Sequence, residues 1–365
     1  MGISELYMSR CLELAAHGRG WVAPNPMVGA VIVADDVIIG EGFHRCYGEA
    51  HAEANAIASV TDKTLLSRST LYVNLEPCSH YGKTPPCAEL IIREKIPRVV
   101  VACIDPNPKV AGRGINRLRE AGVEVVTGVM EYEATALNCF FMTAHRLQRP
   151  YIILKWAQSE DGYIDRKRND VSEKPVQLST SLTRMMVHQL RAEMQAIMVG
   201  VNTALLDNPS LTVRYWPGKS PIRVLIDRNQ RVPLGYHLFD GAQQTLVFTQ
   251  HDVPTREEAN GTNVKYIKIK EGGFQLGEIA TVLWKNGIHS LLVEGGSRLH
   301  RSFLEENLWD EIIVETAPVR LKEGVKAPDL LLYDDVQLVD RQLVSSGSST
   351  GERPSILDRF VHYSK

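Results

Sequence analysis

His51-Ala52-Glu53, Pro77-Cys78 and Pro86-Cys87 bring one imidazole, two thiols and a carboxylate into a short stretch of chain. Imidazole and thiolate are ligands that zinc prefers. Three protein ligands with a fourth position left for water make an open, reactive site rather than a closed structural one. Zinc so bound lowers the pKa of its water until hydroxide is available near neutral pH. His51 and Glu53 stand two apart at a helix start, where both can approach one centre without both ligating. A carboxylate beside that water can carry its proton to a leaving amine, and Glu53 is well placed for it. The third ligand stays open at this point. Cys87 lies across the turn-rich stretch Ser79-His80-Tyr81-Gly82-Lys83-Thr84-Pro85-Pro86, and His80 is its rival. A structural zinc, or a set of buried thiols, is the plainer reading of the same residues.

H-x-E followed by P-C is the signature of zinc-dependent nucleobase deaminases, in which the Glu is not a ligand. The usual second half, P-C-x-x-C, is replaced here by Ser79-His80-Tyr81, with the next cysteine at Cys87. Elsewhere the strongest local pattern is Leu291-Leu292-Val293-Glu294-Gly295-Gly296-Ser297, a strand, a glycine turn and a helix start. Such a turn suits a phosphate held by backbone N–H groups. It lacks the G-x-G-x-x-G fingerprint, so a Rossmann domain is not supported.

The elements that must position these residues alternate between helix and strand. Ser4 to His17 has helical spacing, and Gly29 to Ile39 reads as a strand pair about Asp35-Asp36. Helices are expected from Ala50, over Ala88 to Lys95, Gly114 to Ala121 and Glu131 to Leu147. Strands are expected over Leu71 to Leu75, Arg98 to Ile104 and Val123 to Thr127. This order predicts a three-layer α/β domain. Arg149-Pro150 is a stop signal, which divides the chain into residues 1–148 and 149–365. Tyr151 then opens a strand, Leu182 to Glu193 a helix, and strands follow at Ala196 to Val201, Ile222 to Ile226, Thr245 to Thr249 and Ser290 to Val293. A helix over Arg298 to Leu308 completes a second α/β domain, mostly parallel at its centre.

The 365 residues are 44% hydrophobic and 23% charged, ordinary for a globular protein and long for one core. Lys plus Arg number 41 against 43 Asp plus Glu, a net charge of -2. That balance gives no electrostatic reason to expect nucleic acid as a partner. No apolar run approaches the roughly 20 residues of a membrane span. The N-terminal stretch reads as an amphipathic helix rather than a signal peptide, and Leu6 stands where a myristoylation motif wants Ser or Thr. A cytoplasmic protein is expected. Six cysteines in a chain of this length do not suggest a disulfide scaffold.

The motifs His51-Ala52-Glu53, Glu76-Pro77-Cys78 and Gly82-Lys83-Thr84-Pro85-Pro86-Cys87 resemble the deaminase half of the bifunctional riboflavin-biosynthesis (RibD) family. Pro24-Asn25-Pro26-Met27-Val28-Gly29-Ala30 and Gly40-Glu41-Gly42-Phe43-His44 resemble it too. The resemblance implies a cytidine-deaminase-like fold with one zinc ion on His51, Cys78 and Cys87, and Glu53 as proton shuttle. The implied substrate is 2,5-diamino-6-(ribosylamino)pyrimidin-4-one 5'-phosphate, deaminated at ring carbon 2. Asn25, between two prolines, can offer amide donors and an acceptor, His44 can bond base or sugar, and Lys83 suits the phosphate. A turn residue, a structural histidine and a solvated lysine are the plainer readings of these three.

The second half resembles the reductase half of the same family through Lys155-Trp156-Ala157-Gln158-Ser159, Asp161-Gly162, Leu190-Arg191-Ala192, Gly200-Val201-Asn202-Thr203, Asp207-Asn208-Pro209 and Leu211-Thr212-Val213-Arg214. The fold it implies is similar to dihydrofolate reductase, and the reaction is NADPH reduction of the ribosylamino to the ribitylamino group. Implied cofactor contacts are Gln158, Thr203, Asp207 and Gly296, Ser297, Arg298, Leu299, His300, Arg301 and Ser302. Implied substrate contacts are Arg191, Leu211, Arg214 and Glu294; planar guanidinium donors suit a phosphate. The furanose must open before carbon 1' accepts hydride, which calls for an acid: Asp207 first, Glu294 second. One departure stands out. Relatives carry a Ser-x-Trp-Ile-Thr-like stretch where this chain has Pro175-Val176-Gln177-Leu178-Ser179.

The resemblance thus implies a bifunctional enzyme acting on a small pyrimidine ribotide, the composition points to neither nucleic acid nor membrane, and homo-oligomerisation is left open. A polynucleotide deaminase of the tRNA type and a zinc-stabilised binding module are the alternatives.

Overall fold

The computed structural model describes residues 2–79, 85–108, 110–252, 263–269, 275–345 and 353–362. The chain divides into two compact units, Met1–Gln148 and Arg149–Lys365. Among the described residues no helix is long and apolar enough to cross a membrane.

The first unit runs α1 (Ile3–Ala16), β1 (Gly29–Ala34), β2 (Val37–Phe43), α2 (Ala52–Ser59), β3 (Thr70–Leu75), α3 (Cys87–Arg93), β4 (Arg98–Cys103), α4 (Arg113–Glu120), β5 (Glu124–Thr127), α5 (Glu131–Leu137) and α6 (Cys139–Leu147). Asp35 and Asp36, both at positive φ (51° and 61°), make the tight turn between β1 and β2. The sheet order is β2-β1-β3-β4-β5, antiparallel on either side of β1 and parallel from β3 to β5. Strand periodicity of two splits its apolar residues between two faces. Ala30, Ile32, Leu71, Val73, Val99 and Val101 pack on one side with Ala56, Ile91 and Leu118 of α2, α3 and α4. Val31, Val33, Tyr72, Val100 and Ala102 pack on the other with Met8 and Cys11 of α1, Ala134 of α5 and Met142 of α6. These are the three layers that the pattern predicts. A Cβ on Gly29 would fall 2.1 Å from the carbonyl oxygen of Cys11, so α1 lies on β1 only because that residue is glycine.

The single helix expected over 131–147 is instead two. Asn138 interrupts it, because its buried side chain accepts from Met27 N (2.8 Å) and donates to Met27 O (2.9 Å). Asn74 bonds the same segment, accepting from Gly29 N and donating to Met27 O. Two buried amides thus fix the backbone just after Asn25, taking the place of a strand partner.

The second unit contains β6 (Tyr151–Ser159), β7 (Tyr163–Asp165), α7 (Ser181–Glu193), β8 (Ala196–Gly200), α8 (Val201–Asp207), β9 (Ile222–Ile226), β10 (Thr245–Thr249), β11 (Val264–Lys268), α9 (Leu276–Lys285), β12 (Ser290–Val293), α10 (Ser297–Glu305), β13 (Glu311–Ala317), β14 (Val325–Lys326), β15 (Val336–Val344) and β16 (Ser355–His362). Its large sheet has the order β11-β10-β9-β8-β12-β6-β13-β16-β15. It is parallel from β11 to β13 and antiparallel through β16 and β15. A parallel sheet is buried on both faces, which accounts for the near-continuous burial of β8, β9 and β12. At the start of β6, Asp310 takes a bidentate ion pair from Arg149 (2.6 and 2.8 Å) and a bond from Ile152 N (2.8 Å). β15 stands at one edge of this sheet, opposite β11, and is exposed along most of its length. Its pairing with β16 slips by one residue between Leu338 and Asp340.

Candidate active sites

In the first unit the metal-binding candidates come from three element ends. His51 is the N-cap of α2, Cys87 is the first residue of α3, and Cys78 follows β3. His51 Nδ1 lies 3.6 Å from Cys78 Sγ and 3.4 Å from Cys87 Sγ, and the three ligand atoms all lie within 4.8 Å of one another. A tetrahedral zinc with ordinary Zn–N and Zn–S lengths sets a nitrogen and a sulfur about 3.6 Å apart, so the spacing fits that ion. The Cys87 N–H donates to Cys78 Sγ (3.3 Å), and helix starts favour thiolate. His80 and Lys83 lie outside the described residues.

Glu53, one residue into α2, is buried at 3% exposure beside this cluster. Burial and the neighbouring Cys78 push its carboxyl up to about 7. His44 is buried too, its ring 5.4 Å from that of His51 in an edge arrangement. His44 Nδ1 donates to the Ala50 carbonyl (3.1 Å), so Nε2 is the acceptor for Asn25 Nδ2 (3.1 Å). Burial holds this imidazole neutral by lowering its pKa. The bond fixes which way Asn25 turns and keeps the amide oxygen for another partner. Glu76, which sequence reasoning passed over except as part of a motif, is a buried staple. Its two oxygens accept from the backbone N–H of Asp105, Gly112, Gly114 and Ile115 (2.9–3.3 Å), tying the start of α4 to the Pro77-Cys78 segment.

In the second unit a cavity of about 960 Å³ opens at the carboxyl ends of β6, β8, β9 and β12. Thr203, Asp207, Glu294, Gly296, Ser297, Arg298, Leu299 and Ser302 all line it. Ser297 Oγ is buried without a hydrogen-bond partner at the start of α10. His300 and Arg301 stay off the wall: His300 is fully buried with its ring 5.1 Å from Trp156, and Arg301 is exposed. Gln158 is occupied, accepting from Trp156 Nε1 (2.9 Å) and donating to Thr316 Oγ1 (3.4 Å). Gln177 lines the cavity and donates to Ser179 O (2.9 Å).

Arg191 makes a two-pronged ion pair with Glu294 (2.8 and 2.6 Å) and donates to Thr212 O (3.2 Å). Burial pulls the Glu294 carboxyl upward, but Arg191 outweighs it and the pKa lies below its ordinary value. Arg214 is exposed, its side chain bonded to Thr212 Oγ1 (2.9 Å) and its backbone N–H donating to His188 Nδ1 (2.9 Å). Leu211 is buried at a φ of 52°, unusual for a branched residue and a mark of a constrained loop. Asp207 is the partner of Arg168. Lys155, Ser179, Arg168, Arg228 and Arg231 also face the cavity, and no role was read for them in the sequence. Behind Lys155 and Ser179 lies Glu315, wholly buried, accepting from Ser179 Oγ at 2.6 Å and 3.8 Å from Lys155 Nζ.

Burial also pushes the His300 imidazole down to about 4. An unfolded histidine titrates near 6.5, so between those values the unfolded chain binds the extra proton. Stability is therefore lost as pH falls from about 6.5 toward 4 and is unaffected above 7. This one residue accounts for ~2 kcal/mol between pH 7 and pH 5. Urea unfolding at the two pH values, run on wild type and His300→Gln, should show a smaller loss in the variant. An equal loss in both would remove His300 as the cause.

Comparison with known proteins agrees with both halves. Residues 150–343 match the family described as RibD C-terminal domain, and residues 1–103 match the cytidine and deoxycytidylate deaminase zinc-binding region. The riboflavin biosynthesis protein RibD of Aquifex aeolicus is 42% identical over 330 residues, covering 90% of each chain. That of Bacillus amyloliquefaciens is 42% identical over 339 residues, 92% of this chain and 90% of its own. Among solved structures, a Thermotoga maritima diaminohydroxyphosphoribosylaminopyrimidine deaminase/5-amino-6-(5-phosphoribosylamino)uracil reductase superposes with a TM-score of 0.83 at 35% identity. Acinetobacter baumannii RibD, form 2, gives 0.86 at 33%, and both comparisons cover 99% of each chain.

Proposed function

The chain belongs to the RibD family of riboflavin biosynthesis, and from that premise we propose how its residues divide the work of a bifunctional deaminase and reductase. Residues 1–148 carry the deaminase and 149–365 the reductase, in a cytoplasmic enzyme whose substrate is a small pyrimidine ribotide. The observation that carries the first assignment is the buried Glu53 beside three ligand atoms at zinc spacing.

His51, Cys78 and Cys87 would hold the zinc ion, which would supply a water acidified toward hydroxide. Glu53, buried beside the three ligand atoms, is the carboxylate that would carry a proton between that water and the departing 2-amino group. Asn25, oriented by His44, supplies its amide to the pyrimidine, and Lys83 meets the 5'-phosphate.

When bound, NADPH would supply the hydride that carbon 1' of the opened sugar accepts. Its phosphates suit the N–H groups at Gly296 and Ser297, where α10 begins and the unpartnered Ser297 hydroxyl is at hand. Thr203, Leu299 and Gln158 line or brace its path. Arg191 and Arg214 suit the ribotide phosphate, and Leu211 is assigned to the same substrate. The proton that opens the furanose is better assigned to Glu294 than to Asp207. Asp207 is locked on Arg168, whereas Arg191 acquires a competing partner when a phosphate arrives. A buried carboxylate deserted by its guanidinium takes up a proton readily.

Incubating the protein with 2,5-diamino-6-(5-phosphoribosylamino)pyrimidin-4-one, with and without NADPH, separates the steps by product mass. The aminouracil should accumulate without NADPH and its ribityl form should appear with it. Failure to form the uracil from zinc-loaded protein overturns the deaminase assignment.

Arg228 and Arg231 stand on the loop after β9, a place where α/β sheets bind ligands. Asp227 shapes that loop by accepting from Arg231 N (3.0 Å) and Val232 N (2.8 Å). Their positive charge fits the cofactor 2'-phosphate. Arg228→Gln with Arg231→Gln should raise KM for NADPH roughly 10- to 100-fold and leave KM for NADH nearly unchanged. Parallel losses with both cofactors would place the 2'-phosphate elsewhere.

A further inference from the structure

The segment between β7 and α7 forms one wall of the reductase cavity: Arg166, Lys167, Arg168, Asn169 and residues 175–179 all line it. It has no helix or strand of its own, and Arg166, Lys167 and Asn169 are exposed. A wall of irregular chain needs polar ties to hold one conformation, since it buries little apolar surface. Among the charged residues of the segment Arg168 is the exception, with a side chain only 6% exposed.

That guanidinium reaches three parts of the unit at once. It bonds Asp165 Oδ2 at the end of β7 (2.6 Å), the Glu173 carbonyl further along its own segment (3.2 Å), and the carboxyl end of α8. At α8 it takes the Leu206 carbonyl (3.2 Å) and the Asp207 carboxylate. Asp165 extends the tie by accepting from Arg166 N (2.8 Å) and Val176 N (3.0 Å), the latter beside Gln177. The wall is thus bound to α8 through one planar, multiply donating group. A lysine, with a single compact ammonium, could not span the same acceptors.

We propose that Arg168 is a positioning residue of the reductase: it fixes the Asp207 carboxylate as a hydrogen-bond acceptor facing the cofactor cavity and holds the 166–177 wall in register with it. The inference rests on the reading of this cavity as the NADPH site. With Arg168 gone, Asp207 loses its direction and the wall its anchor. The loss should fall on cofactor binding and on alignment, and leave deamination alone.

The experiment uses the full-length, zinc-loaded chain with Arg168→Gln, Arg168→Lys, Asp207→Asn and the Arg168→Gln/Asp207→Asn pair. NADP+ affinity is measured by titration calorimetry, and kcat and KM for reduction are measured with the aminouracil ribotide supplied. Arg168→Gln should weaken NADP+ roughly 10- to 100-fold and raise KM for NADPH in step, with deamination unchanged. Arg168→Lys, which keeps the charge but cannot span both acceptors, should recover part of the affinity. The double variant should be scarcely worse than Asp207→Asn alone, because both changes break one connection. If Asp207→Asn weakens NADP+ while Arg168→Gln binds as wild type, the positioning role falls and the site reading stands. If neither change alters NADP+ binding, the reading of the cavity falls and takes the proposal with it. Fully additive losses, or a drop in thermal stability with affinity and KM unmoved, would reduce Arg168 to a structural tie and overturn the proposal.

Discussion

Glu53→Gln is expected to keep its zinc and lose deamination by about 10²–10⁴-fold, the usual contribution of a general acid–base group. The amide is nearly isosteric and sits one residue into α2, so the helix, its His51 cap and the two cysteines have no reason to move. What disappears is a group able to accept and release a proton at a residue only 3% exposed, where bulk water cannot easily substitute. Metal analysis of the purified variant gives the first half of the result, and product formation from the diaminopyrimidine ribotide gives the second. Reduction of directly supplied aminouracil should proceed at the wild-type rate, since every reductase residue named lies beyond Arg149. Near-normal deamination in the variant would remove Glu53 from the chemistry. Loss of zinc would make it part of the metal's support instead.

The second large effect is in the other unit. Arg191→Ala should cost about 3–5 kcal/mol of stability, as removing one member of a buried ion pair generally does. The side chains of Arg191 and Glu294 are 13% and 14% exposed, and the pair is two-pronged, so the alanine leaves a desolvated carboxylate with its main partner gone. In a unit of this size the loss should appear as a fall in Tm of roughly 10 °C or more. Reduction should fail as well, because the same guanidinium is assigned to the substrate phosphate. The control is Arg191→Met with Glu294→Gln, which removes both charges. If stability returns while reduction does not, the unpaired carboxylate caused the instability and the two residues carry the chemistry. A Tm unchanged in Arg191→Ala would show that solvent reaches the pair far more than its burial implies.

The metal site was legible in the sequence because zinc chemistry restricts residue type and the turn-rich spacer limits where each ligand can sit. Spacing alone left Cys87 and His80 level; the ring of contacts among His51, Cys78 and Cys87 shows that three of the candidates converge. Strand periodicity gave the first unit's layers for a similar reason, as Val31 and Ile32 could not share a face. Asn138 was hidden because its partner Met27 is remote in the chain, and a helix-compatible stretch gives no sign of a side chain bound elsewhere. The same holds for Arg168, whose partners Asp165, Leu206 and Asp207 lie on other elements, and for Arg191, read as a phosphate ligand with no sign in the sequence of its pairing with Glu294. Arg228 and Arg231 were legible in principle, because the polar turn after a parallel strand is where α/β sheets gather ligand contacts. The strands of β13, β15 and β16 carried too weak an alternation to be read at all.

The slipped register near the outer edge of the large sheet has a bearing on how the protein keeps to itself in a crowded solution. An outermost strand offers a row of amide donors and acceptors to any extended segment that drifts past, and Leu338 and Leu343 there are exposed. The extra residue at Val339 kinks that row, so an incoming strand can match the spacing on one side of the kink or the other but not both. Asp340 and Arg341 follow directly, and Arg341 is turned back onto Asp358 of the neighbouring strand by a two-pronged ion pair. Templated growth of the sheet is interrupted at the point where the apolar side chains would otherwise favour it.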